Sequence, residues 1–95
     1  MMKELARFFE GYSFPSSKIM YPTNKALWDF ALQTEGSNSI EQICKDIVWV
    51  LKQNANEHKE ILRYVNQMAH MGPIRFKNPK DMLKYLKEML EYLRK

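Results

Sequence analysis

Apolar residues recur along this chain every three or four positions, and the stretches between them carry turn residues, so the pattern predicts helices in succession. Met2, Leu5, Phe8, Phe9 and Tyr12 share one side of a first helix from Met2 to about Tyr12, with Lys3, Glu4, Arg7 and Glu10 outside. Ser13 to Tyr21, punctuated by Pro15, reads as a loop. Thr23 caps a second helix that Gly36 stops, and its apolar set is Leu27, Trp28, Phe30, Ala31 and Leu32. That set is wide for a helix with one neighbour. Ser37-Asn38-Ser39 reads as the next break, and Ser39 followed by Gln42 has the spacing of a capping box. The third helix, Ile40 to about Gln53, turns Ile40, Ile43, Cys44, Ile47 and Leu51 inward.

Asn54 with Glu57 three residues on predicts another cap, the alternative being one long helix running through. A fourth helix, about Ala55 to Met71, turns Ile61, Leu62, Val65, Met68 and Ala69 inward until Gly72-Pro73 ends it. Ile74 to Lys77 reads as extended. Asn78-Pro79 is then a cap followed by proline at the first helical position, opening a last helix that runs nearly to the end. Five helices with short connections and no strand-length alternation predict an all-α fold, a compact five-helix bundle in one domain spanning 1–95.

The last helix repeats itself. Asp81 to Lys87 is echoed by Glu88 to Arg94, seven residues later. Leu83, Leu86, Leu90 and Leu93 form a seam, widened by Met82, Met89, Tyr85 and Tyr92 to about half the circumference. Either the helix lies deep in the bundle or part of the stripe, with Tyr85 and Tyr92, meets another chain. Two heptads are too few for a coiled coil.

Composition narrows the function classes. A chain of 95 residues, 45% hydrophobic and 27% charged, is globular and too short for two cores. The single cysteine excludes an intrachain disulfide framework and a zinc ribbon. No apolar run is long enough for a membrane span, and Glu4, Arg7 and Glu10 stand where a signal peptide would be greasy. The expectation is a cytoplasmic protein without a membrane partner. No Gly-rich phosphate loop, Ser/His/Asp set or metal-ligand spacing is found. Cys44 falls on a buried seam, and His58 and His70 lack a third ligand. No catalytic residue, metal or cofactor is expected.

Charge then supplies a direction. Residues 1–71 hold eight Lys/Arg against eight acids, whereas residues 72–95 hold seven against three, so the whole net charge of +4 comes from the last quarter. Such a surplus attracts polyanions over about 8–10 Å at ordinary salt, although solvated helix surface is the commoner use of charge. The segment from Ile74 to Lys80 places Phe76 between Arg75 and Lys77 and feeds a helix N-terminus that favours an anion. Phe76 could stack on a base there, or plug the core while its basic neighbours point outward. Lys59, Arg63, Asn66 and His70 share a helix face over about 16 Å, a stripe of donors that could follow phosphates. Trp49 projects opposite its helix's seam, covered either by another helix or by a partner protein or base.

With Lys18-Ile19-Met20-Tyr21-Pro22 leading into a long helix, this small, basic, all-α chain resembles the small helical subunits of multi-subunit (class 1) CRISPR effector complexes. The resemblance covers most of the chain and rests on architecture, because that family has no diagnostic motif. It implies a non-enzymatic brace that stacks with copies of itself and other subunits and contacts RNA or single-stranded DNA through the backbone. Arg75, Lys77, Lys80 and Lys84, then Lys59 and Arg63, are the expected nucleic-acid contacts, read from the charge pattern. The rival expectation is a small protein-binding regulator or viral inhibitor, with Trp49, Tyr85, Tyr92 and Phe76 carrying the affinity.

Overall fold

The computed structural model describes residues 2–12, 22–68 and 75–94. They form α1 (Lys3–Tyr12), α2 (Asn24–Thr34), α3 (Ser37–Leu51), α4 (Ala55–Met68) and α5 (Pro79–Leu93), with no strand among them. The fold is an all-α bundle. Its radius of gyration, 12.4 Å, is about that of a folded single domain of this length. The expected loop from Ser13 to Tyr21, the lead-in at Lys18, the end of the fourth helix at Met71 to Ile74 and the donor at His70 all lie outside the described residues.

Two helices organise the packing. α1 packs most extensively on α3 and also on α4, while α5 packs on α2, α3 and α4. Leu5, Phe8 and Phe9 from α1 meet Ile43, Ile47 and Val50 from α3 in a single core, completed by Met82, Leu86 and Met89 from α5. At roughly 1.5–3 kcal/mol for each large apolar side chain removed from water, this cluster supplies the main force that offsets chain entropy.

Local chemistry places three helix starts where the sequence predicts them. The Thr23 hydroxyl accepts from the Ala26 N–H at 3.1 Å. The Asn54 carboxamide accepts from the Glu57 N–H at 2.9 Å, and the Asn78 carboxamide from the Asp81 N–H at 2.9 Å. The break at Asn54 is therefore real, and the long continuous helix is not formed. His58 adds a second tie there, its Nε2 lying 2.8 Å from the Val50 carbonyl oxygen of the preceding helix.

Ser37 to Ser39 departs from expectation. These residues are the first turn of α3, its N-cap is Gly36 at φ −70° and ψ 160°, and no side chain caps it. Ser39 sits inside the helix, so the Ser39/Gln42 spacing is not a cap here. Gly36 does not end α2 through a left-handed conformation either. α2 closes at Thr34, and the extended Glu35 returns its N–H to the Ala31 carbonyl.

The most consequential polar group in the core is Asp46. Only 8% of its surface is exposed, and its carboxylate accepts from the Glu4 N–H at 2.9 Å and the Leu5 N–H at 3.0 Å. Those are second- and third-position amides of α1, whose own preceding residue, Met2, has no oxygen side chain to offer them. α3 thus caps α1 from across the core and fixes where α1 begins.

Candidate nucleic-acid interface

The basic segment ahead of α5 is held from two sides. Asn66 of α4 donates through Nδ2 to the Phe76 carbonyl at 2.9 Å, and its Oδ1 accepts from the Phe76 N–H at 3.1 Å. One carboxamide therefore satisfies both backbone groups of Phe76, as a neighbouring strand would. The Phe76 ring enters the bundle edge-on to Tyr85 (centroids 5.2 Å apart) and to Phe9 (6.2 Å). With Phe76 turned inward, Arg75 and Lys77 on either side are exposed. Of the two uses the sequence allows for Phe76, core plug is the one found, and it is not a free stacking platform.

Asn66 is correspondingly removed from the donor stripe. Its amide is spent on the chain itself, and replacing it with Ala should cost about 1–3 kcal/mol by leaving the half-buried Phe76 N–H and C=O unpaired. Hydrogen exchange should report this as faster loss of protection at the Phe76 amide than elsewhere. Lys59 and Arg63 remain exposed on the helix face that leads to this clamp, within about 11 Å of Asn66 along the axis. Of the stripe, it is Asn66 that meets the basic segment, at Phe76. Arg63 also approaches Glu60 at 3.9 Å, an exposed pair that water and salt screen.

Past the clamp, Lys80, Lys84 and Lys87 lie on the face of α5 opposite the core, bordering a hollow of about 640 Å³ with Leu83. Among the described residues, Arg75, Lys77, Lys80, Lys84 and Lys87 make no ion pair within 4.0 Å. The face is not uniformly positive, because Asp81, Glu88 and Glu91 border the same hollow. Charge is richest at the Arg75 end and is diluted along α5. Arg94 stands at the other end of α5, about 22 Å away along the axis, so the surplus in the last quarter is not one patch.

The α5 N-terminus gives less to an anion than its sequence promises. Pro79 has no N–H, Asn78 already binds the Asp81 amide, and the Asp81 carboxylate occupies the first turn. Side-chain cations, and not helix amides, are what this surface presents to phosphate.

Of the aromatic residues expected to meet a partner, Tyr85 belongs to the interior, while Trp49, Phe76 and Tyr92 are half-buried. Tyr85 is buried, its hydroxyl accepting from the Trp28 Nε1–H at 3.2 Å, with the two rings 5.4 Å apart and near perpendicular. It is a core residue and has no surface to offer. Burial pushes its phenol far above the ordinary value, and the Trp28 donation opposes this only in part. Tyr92 packs on Trp28 at 5.7 Å and donates its hydroxyl to the Asp29 carboxylate, which raises its pKa. Trp49 is half-buried and packed against the core cluster, so the chain covers part of it. Among the described residues the large apolar side chains left exposed are Phe30, Leu32 and Tyr64, none of which the hydrophobic pattern singles out as a contact residue.

Comparison with known proteins returns no match: no protein-family model, no curated protein and no solved structure is similar to this chain. No group of three or more His, Cys, Asp or Glu among the described residues could hold a metal ion, and no described helix is long and apolar enough to cross a membrane.

Proposed function

We propose that this chain is a non-enzymatic subunit of a nucleoprotein assembly that grips the backbone of RNA or single-stranded DNA without reading its sequence. The observation that carries the reading is the exposed group Arg75, Lys77, Lys80 and Lys84. It is unpaired among the described residues and presented from a segment clamped at Phe76 by Asn66. Clamping matters because cations on a fixed backbone lose less conformational entropy when they meet phosphate than cations on a free tail. Lys59 and Arg63 extend the same surface on α4. The absence of a base-stacking aromatic at Phe76 favours contacts to phosphate over contacts to bases.

A small helical brace of the kind found in class 1 CRISPR effector complexes is the assembly role that this reading puts forward. The rival reading, a protein-binding regulator, draws less support, since Tyr85 is buried and Trp49, Phe76 and Tyr92 each pack part of their surface on the core.

The test is fluorescence anisotropy of a labelled single strand, titrated at several salt concentrations. Four phosphate contacts predict a slope of log affinity on log salt near about −3, with little dependence on base composition. The double change Arg75→Glu and Lys77→Glu should weaken binding at least about tenfold and flatten that slope, because two of the contacts become repulsive. Its melting temperature should stay close to that of the parent, both residues being exposed. Equal affinity before and after the double change, in a protein that melts normally, would remove the proposal.

A further inference from the structure

We propose that a groove at the opposite end of α5 binds a small amphipathic carboxylate, its apolar body on Leu32, Ile40, Cys44 and Leu93 and its charge on Arg94. The groove has a volume of about 560 Å³ and is built from the end of α2, the first turns of α3 and the end of α5. That volume falls within the ~300–1,000 Å³ usual for small-molecule sites, which are mostly apolar with few polar groups to orient the ligand. Its length along α3, from Ser37 to Lys45, is about 12 Å, the reach of a medium-length alkyl chain.

Charge complementarity selects an anion. Four ionic side chains border the groove: Glu35, Glu41, Lys45 and Arg94. Glu35 is engaged by the Arg7 guanidinium, and Lys45 lies 3.6 Å from Glu41. Arg94 has no carboxylate within 4.0 Å among the described residues, and it borders the groove together with Cys44. A guanidinium presents a planar fork of donors that matches a carboxylate in two parallel bonds. An incoming carboxylate therefore meets a guanidinium that no described acid engages. The buried Cys44 and Leu93 and the half-buried Ile40 give its alkyl chain a floor away from water. The site does not depend on the basic face, since α5 separates the two by about 22 Å.

The probe is sodium octanoate below its micelle threshold, followed by nitrogen–proton correlation spectra of the full chain, with 1-octanol as the uncharged control. The expected result is saturable one-to-one binding with shifts confined to residues around Ile40, Cys44 and Leu93, and octanol about tenfold weaker. Arg94→Gln should lower octanoate affinity about tenfold and leave octanol unchanged, because it removes only the charge-assisted bonds. Leu32→Gln, on an exposed position that cannot unfold the bundle, should weaken both ligands about threefold. Shifts that never saturate, equal affinity for acid and alcohol, or an Arg94→Gln variant that binds octanoate as the parent does would each overturn the assignment. So would groove shifts that appear on concentrating the protein alone together with a doubled mass by light scattering, which would make the groove a contact between copies.

Discussion

Asp46→Ala should destabilise the protein by about 2–3 kcal/mol, lowering the melting temperature by roughly 10–20 °C in a domain of this size. Two backbone donors, the Glu4 and Leu5 amides, lose their acceptor at once, and Met2 cannot replace it. The Leu5 residue is fully buried, so water reaches its amide only if α1 frays. The loss spreads because α1 delivers Leu5, Phe8 and Phe9 to the core, and all three are fully buried. Asp46→Asn separates the causes. Its carboxamide oxygen can still accept, and only the attraction between a carboxylate and the positive end of α1 is removed, about 0.3–1 kcal/mol. Thermal melts followed by circular dichroism decide the matter. An alanine variant within about 0.5 kcal/mol of the parent would mean that α1 is held by its apolar face alone.

Asp46 also marks where reading the sequence runs out. Thr23, Asn54 and Asn78 are legible as caps because donor and acceptor lie three residues apart, so the signal is contained in a short window. Asp46 caps an amide more than forty positions away, and nothing local distinguishes it from an acid on a solvated helix face. The same holds for Asn66, which fits a donor stripe by spacing but is spent on Phe76, ten residues further on. Local signals could also mislead. Ser37-Asn38-Ser39 has the composition of a break, yet continues α3 because Ile40, Ile43 and Ile47 need one unbroken helix to reach the core.

In α5 the periodicity gives the right helix and a face that is turned. Of the expected leucine seam, Leu86 and Leu93 are buried while Leu83 and Leu90 are only half-buried, and the flanking Met82, Tyr85 and Met89 are buried. Counting hydrophobic residues treats leucine and methionine alike. The packed bundle does not, because the flexible thioethers fit irregular space beneath α1 and α3 while Tyr85 is drawn toward the ring of Trp28. The exposed basic residues, by contrast, were legible as charge, since no packing preference competes for them. What they touch is not written in their spacing.

Tyr85→Ala should cost about 3–5 kcal/mol, a large share of the roughly 5–14 kcal/mol that holds a chain of this length folded. Tyr85 is where three aromatic contacts meet, with Trp28 at 5.4 Å, Phe76 at 5.2 Å and Phe9 at 6.1 Å. Tyr85→Phe keeps the rings and leaves the Trp28 N–H, in a side chain only 2% exposed, without its acceptor, at a cost of about 1–3 kcal/mol. The hydroxyl also sets an alkaline limit. Burial raises the phenol above its ordinary value of 10 in the folded state, so the native protein holds this proton more tightly than the unfolded chain. Stability from Tyr85 is therefore complete below about pH 10 and declines as pH rises above it, when the unfolded chain alone releases the proton. Phenolate absorbance should show one tyrosine that ionises only with unfolding, and in Tyr85→Phe that step and its share of the alkaline decline should vanish. Because the Phe76 ring leans on Tyr85, the alanine variant should also loosen Arg75 and Lys77. Oligonucleotide affinity should then fall severalfold with the salt slope nearly unchanged, since no cation is lost and only its placement is. An unchanged affinity in a variant that remains folded would show that the cations act as a mobile cloud and that the Asn66 clamp contributes nothing to binding.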